Sequence, residues 1–189
     1  MNRCFLLPIL LSCFPLFSQD TGLSWTMALD RSAGGVRTFS RPILMTDGET
    51  FILVIRATEA CYCYIVYQDA VRNTEILYNG RLTAGNDLSL GPYRLEPPSG
   101  TETIQVVISK IPQQKIDDAA KNYAQARSRG NADKLMNSIY ELRRSISSLV
   151  ESPEKPVLLG GAFRDTGGGT TGVQYTGTAV YVKSVLIRH

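Results

Sequence analysis

Histidine is the scarcest chemical resource of this chain: a single one, His189, stands at the end of 189 residues. Nucleophilic mechanisms built on Ser-His or Cys-His pairs need an imidazole positioned by the fold, so the expectation is a protein without His-based catalysis. Cysteine is scarce as well, because Cys4 and Cys13 fall in an N-terminal leader and only Cys61 and Cys63 remain beyond it. A structural or catalytic zinc site needs three or four His, Cys or carboxylate ligands, so no metal and no cofactor is expected. Two residues apart on a strand, Cys61 and Cys63 share a face with their Cα atoms about 6.5 Å apart, near the outer limit of disulfide geometry. They read as small, unbridged strand residues.

Long apolar runs are missing too. The one at the N-terminus is interrupted by Pro8 and Pro15 and falls short of the ~20 residues that span a bilayer, so no transmembrane segment is expected. The net charge of +3 is small and the basic residues are scattered, which leaves no electrostatic footprint for nucleic acid. Gly167-Gly168-Gly169-Thr170-Thr171-Gly172 lacks the Lys of a phosphate-binding loop and leads into a strand rather than a helix, so it reads as a hairpin loop.

What is present begins with an address. Met1-Asn2-Arg3, then Cys4 to Leu11, then small and polar residues up to Gln19-Asp20 form a basic start, a short apolar core and a cleavage zone, the layout of a secretory signal peptide over residues 1–19. Leu10-Leu11-Ser12-Cys13 also resembles a bacterial lipobox, which makes a lipid anchor at Cys13 the alternative processing route. Either way the chain is expected to be exported, periplasmic or extracellular.

The body is read as mainly β. Leu23 to Leu29, with Trp25 as anchor, Phe51 to Ala57, Cys61 to Tyr67, Glu75 to Tyr78, Leu88 to Leu95 and Thr103 to Ser109 are strand-length runs separated by turn signals at roughly ten-residue spacing, the pattern of a sandwich or barrel. Asn79-Gly80 reads as a tight turn, and Gly91-Pro92 as an interruption. On the Cys61 to Tyr67 run both faces are apolar or aromatic, which predicts an interior strand. The period then changes: Leu135, Ile139, Leu142, Ile146 and Leu149 recur at steps of four and three, one apolar stripe on a helix. Two helices are expected, over about 114–129 and 132–150 with Asn131 capping the second, or one helix kinked at Gly130-Asn131. Ser152-Pro153 and Lys155-Pro156 end them, a Gly- and Thr-rich loop follows over 160–177, and Thr178 to Ile187 reads as a last strand. So apolar a strand would be an aggregation hazard unpaired, so it is expected to return to the sheet. The organisation predicted is a β-sandwich over 20–112, a helical hairpin inserted over 113–152, and a loop and strand over 153–189 that complete the sandwich.

Asp47-Gly48-Glu49, the tyrosine-rich strand up to Tyr67, Leu77-Tyr78-Asn79, Ala84-Gly85 and above all Pro97-Pro98-Ser99-Gly100-Thr101-Glu102-Thr103 resemble the bacterial domain of unknown function numbered 4384, over about 45–111. The chain departs from that family's pattern where Tyr78 runs directly into Asn79 without the usual Pro, and where Ala70 to Asn73 stand in place of a Gly hairpin. No active site is established for the family, and its members are often joined to peptidase or kinase domains, which implies an accessory role in recognition or assembly.

Tyrosine supplies large contact area at small entropic cost, so Tyr62, Tyr64, Tyr67 and Tyr78 are the candidate binding residues, against the alternative that at least half of them are core. The carboxylates of Asp117, Asp118, Glu49 and Glu59 read as solvated. The functional expectation is a non-enzymatic interaction module of the bacterial envelope, its partner an envelope protein or a glycan. An envelope hydrolase that works without His, recognisable by a cleft holding carboxylates or a Ser-Lys pair, and a lipid-anchored structural protein are the alternatives.

Overall fold

The computed structural model describes residues 22–31, 34–36, 38–146, 154–159, 170–177 and 179–189. The expected leader, with the lipobox-like stretch at Cys13, and most of the Gly-rich stretch lie outside them. Ten strands and two helices follow in chain order: β1 (Leu23–Arg31), β2 (Ile43–Leu44), β3 (Thr50–Ala57), β4 (Cys61–Gln68), β5 (Thr74–Leu82), β6 (Asp87–Arg94), β7 (Thr101–Ser109), α1 (Gln114–Gln125), α2 (Arg129–Ile146), β8 (Lys155–Leu159), β9 (Thr170–Gly177) and β10 (Val180–Arg188). The strands form two five-stranded sheets, ordered β6-β3-β1-β9-β8 and β2-β10-β7-β4-β5. The protein is thus a β-sandwich with a helical segment inserted between strands, and its C-terminal strand returns to the sheet.

Strict alternation on the strands builds the space between the sheets. Trp25, Met27 and Leu29 of β1, Phe51, Leu53 and Ile55 of β3, Cys61, Cys63 and Ile65 of β4, and Ile104, Val106 and Ile108 of β7 share one buried cluster. Trp25 is fully buried and stacks on Tyr175 with ring centroids 4.6 Å apart, while Tyr181 meets it edge-on at 5.5 Å. These large rings fill the sandwich where β1, β9 and β10 approach, the arrangement aromatic quadrupoles favour.

The opposite faces of β4 and β7 have a second use. Tyr64, Val66, Val107 and Val182 pack against Ile116, Ala120 and Tyr123 of α1 and Ala132, Leu135, Met136 and Ile139 of α2. The helical stripe therefore docks on the sandwich, which explains why β4 is apolar on both sides: one face meets the other sheet, the other meets the helices. Leu135 and Ile139 are completely buried, each contributing about 2 kcal/mol by removal from water.

Four sequence expectations are corrected. Asn79-Gly80 is not a turn: β5 runs through it, pairing Asn79 with Tyr64 and Gly80 with Cys63. Glycine is there to admit the Tyr78 ring, whose Oη would sit 3.2 Å from a Cβ at Gly80 and donates to the Arg81 carbonyl at 3.0 Å. The turn falls at Thr83 to Asn86, where Gly85 has φ 75°. Gly91-Pro92 does not interrupt β6; the two residues form a bulge in β6 opposite Ile52, between the Phe51–Tyr93 and Leu53–Leu90 pairs, and a Cβ at Gly91 would lie 2.9 Å from the Phe51 carbonyl. Asn131 is not a cap but sits in the first turn of α2, where its Nδ2 donates to the Asn122 and Ala126 carbonyls at the end of α1; Ser128 Oγ accepts the Asn131 N–H instead. The last part of the expected Gly-rich loop, Thr170–Gly177, is strand β9, held between β1 and β8.

Candidate functional site

At one end of the sandwich, residues of both sheets line a cleft of about 390 Å³. It is walled by the end of β4, the turn into β5, the end of β6, and the Pro97-Pro98 segment leading into β7. Its position follows from the alternation on β7. Glu102 stands in the row that continues as Ile104, Val106 and Ile108 and pairs with the fully buried Ile187 of β10. A carboxylate therefore occupies a place where the pattern calls for an aliphatic side chain.

Glu102 is only 2% exposed. Its Oε1 lies 3.2 Å from His189 Nε2, and His189 Nδ1 lies 2.6 Å from Asp47 Oδ1. Each ring nitrogen thus faces one carboxylate. Asp47 Oδ2 in turn accepts from Ser99 Oγ at 2.9 Å, and the hydrogen bond from His189, followed by that from Ser99, holds the Asp47 carboxyl below its ordinary range. The second Glu102 oxygen, Oε2, has no hydrogen-bond partner among the described residues. A buried acceptor left so costs about 1–3 kcal/mol, more when charged.

The walls are aromatic. Tyr67 and Tyr93 are half-buried, line the cleft and pack against the sandwich core. Burial first, then the neighbouring Glu102 carboxylate, raises the Tyr67 phenol well above its usual value, so it stays protonated. Burial and the charge of Glu75 raise Tyr93 likewise, and its ring is braced by Phe51 at 5.6 Å. Asp69 is spent on the turn itself: Oδ1 accepts the Val71 and Asn73 N–H groups at 3.0 and 2.7 Å, and Oδ2 accepts Asn73 Nδ2 at 2.7 Å. That network holds Arg72 at φ 68°, a conformation a non-glycine residue adopts only when its neighbours enforce it. Gly100 lets the next turn close on this one, because a Cβ there would meet Ala70 Cβ at 2.7 Å.

The four candidate tyrosines part company. Tyr67 alone of them lines the cleft. Tyr64 is 2% exposed; its hydroxyl accepts the Gln113 N–H at 2.8 Å and donates to Asp117 Oδ2 at 3.3 Å, fastening the start of α1 to the sheet. Tyr62 packs with the helices, and Tyr78 with the sandwich core. Glu49 and Glu59 pair at a distance with Arg31 and Lys110, 3.7 and 3.8 Å. Cys61 and Cys63 are free and buried, facing the core; burial pushes the Cys61 thiol up to about 11 and Cys63 well above its ordinary value.

Sequence reasoning missed His189, Glu102 and Tyr93. His189 is positioned by the fold after all, its side chain fully enclosed, but both ring nitrogens face carboxylates and neither faces a Ser or Cys. The only signal for Glu102 was its place inside Pro97 to Thr103, a segment that reads as a turn until β10 is seen beside it. A second depression of about 240 Å³ lies between residues 39–42 and α2; of its lining cations Arg41, Arg143 and Lys183, Lys183 pairs with Glu154 at 2.8 Å and Arg143 donates to Ser184 at 3.0 Å. Among the described residues no group of His, Cys, Asp and Glu is arranged to hold a metal ion, and no helix is long and apolar enough to cross a membrane. No family model, curated protein or solved structure matches the chain.

Proposed function

We propose that this chain is an exported, non-enzymatic interaction module of the bacterial envelope, and that it captures its partner in the cleft beside Glu102. The observation that carries the reading is a buried carboxylate with one unpartnered oxygen at the base of a tyrosine-walled cleft. Protein cores exclude such a group unless something answers it, and rigid amphipathic tyrosines are the side chains that binding surfaces favour. The segment that resembles the domain of unknown function numbered 4384, Pro97 to Thr103, supplies Pro97, Pro98 and Glu102 to the cleft. An accessory role in recognition is what that resemblance implies. Export rests on the leader over residues 1–19.

The hydrolase alternative has one observation in its favour, since Glu75, Glu96 and Glu102 share the cleft. No Ser, Thr, Cys or Lys joins them among the described lining residues, which favours binding over turnover. The test is a cross-linking pull-down from the envelope of the native organism with wild type, Tyr93→Ala and Ile111→Ala, Ile111 being exposed just past the end of β7 opposite to Glu102. Wild type and Ile111→Ala are expected to recover the same partner and Tyr93→Ala to lose it. Recovery of no specific partner, together with turnover of a glycan or ester substrate, would overturn the reading.

A further inference from the structure

We propose that the cleft is a receptor for a primary ammonium group, with Glu102 Oε2 as its acceptor and Tyr67 and Tyr93 as its walls. The proposal rests on the reading of this cleft as the binding surface and adds the chemical class of what enters.

The sign of charge comes first. Besides Glu102, the carboxylates of Asp69, Glu75 and Glu96 line the cleft; Asp69 is engaged by its turn, while Glu75 and Glu96 make no side-chain ion pair or hydrogen bond among the described residues. The one cation among the described lining residues, Arg94, has its guanidinium beside the β2–β3 turn, where Nη2 would lie 3.4 Å from a Cβ at Gly48. An anionic ligand would meet these carboxylates, whereas a cation finds Glu75 and Glu96 unpaired among the described residues and Glu102 open at Oε2.

The acceptor is independent of that charge count. Glu102 is buried, with its side chain 3% exposed, it lines the cleft, and although the Tyr67 hydroxyl stands beside its carboxylate, Oε2 has no donor at hydrogen-bond geometry. A ligand N–H arriving at Oε2 completes a hydrogen bond the fold leaves open. The geometry also selects between cations. A guanidinium is best read by both oxygens of one carboxylate, but Glu102 Oε1 is already held by His189 at 3.2 Å. An ammonium is a compact point charge with three separate donors, so it can give one to Oε2 and the others towards the rim. Aromatic faces beside it add cation–π attraction.

The ammonium group has two sources, a free diamine or a lysine side chain of a partner protein, and the probes separate them. Cadaverine, Nα-acetyl-lysine amide, its Nε-acetylated form and chitobiose are titrated against the protein, with backbone amide shifts as the readout. Saturable shifts centred on Tyr67, Tyr93 and Glu102 are expected for the ammonium probes. Binding by both supports the shared chemistry, by lysine amide alone a protein side chain, and by cadaverine alone a free diamine. Glu102→Gln keeps an oxygen for His189 and puts an amide N–H where Oε2 accepts, so it should weaken binding by about tenfold or more. Should that variant fail to fold, Glu75→Gln on the rim should weaken binding by a few-fold and leave the melting temperature unchanged.

Equal binding by the Nε-acetylated probe or by chitobiose, shifts elsewhere on the molecule, or no binding at all would overturn the proposal. In those cases, loss of the envelope partner in Tyr93→Ala would still uphold the cleft as the binding surface. Retention of the partner there would overturn both.

Discussion

His189 and Glu102 meet at the base of the cleft, Nε2 to Oε1 at 3.2 Å, while Asp47 holds the opposite ring nitrogen at 2.6 Å. This contact ties three separate pieces of chain together: the turn before β3, the start of β7 and the end of β10. Backbone bonds reinforce it, since the His189 N–H donates to the Gly100 carbonyl at 3.2 Å and the Met45 N–H to the Arg188 carbonyl at 2.9 Å. The clamp sets where Glu102 stands and which of its oxygens is left for the cleft.

The clamp makes stability depend on acid. Because the Asp47 carboxyl is held low by His189 and then Ser99, its contribution is complete well above the unfolded carboxylate value of about 3.9. It is lost as pH falls through the depressed folded value. The melting temperature of wild type should therefore fall more steeply between about pH 5 and pH 2 than that of Asp47→Asn, which starts lower at pH 6. Parallel curves would show that the contact does not stabilise the fold.

Tyr64→Phe removes the acceptor of the Gln113 N–H and the donor to Asp117 while leaving the ring in place. The expected cost is about 1–2 kcal/mol in urea unfolding, with helix content unchanged. Tyr62→Phe, whose hydroxyl has no comparable duty, should stay within about 0.5 kcal/mol of wild type.

Glycines at positive φ should differ according to their surroundings. Gly85→Ala meets nothing within 4 Å at φ 75° and should cost about 1–2 kcal/mol. Gly91→Ala at φ 117° drives a Cβ to 2.9 Å from the Phe51 carbonyl and should cost more, about 3 kcal/mol, with loss of the β3–β6 pairing in hydrogen exchange. Equal costs would mean that the bulge does not depend on Gly91.

Cys61 and Cys63 should resist a thiol reagent at pH 8 in the native protein. Only the thiolate reacts, and burial holds Cys61 near 11 and Cys63 higher still. Both should label rapidly in denaturant; rapid labelling of the native state would show that β4 opens.

Much of this fold was legible because period carries it. The two-residue alternation on β4 and β7 and the four-three steps of α2 say which faces are buried before any neighbour is known. What stayed hidden depends on partners distant in sequence. Val173 and Tyr175 of β9 are core residues inside a Gly- and Thr-rich stretch whose composition says loop. Asn79-Gly80 has a turn's composition but strand partners in β4. The candidate site was less legible than the fold. Tyr67 could be named from its aromatic face, but Glu102, Tyr93 and His189 acquire meaning only when β6, β7 and β10 bring them to one end of the sandwich.

The central claim, that the cleft is where this module meets its partner, is tested most directly by placing a photo-activatable benzoyl-phenylalanine at position 93 and, separately, at position 111, exposed past the opposite end of β7. Irradiation in the native envelope should yield one discrete cross-linked species from position 93 and none from position 111. Cross-linking from position 111 with silence at position 93 would contradict the account.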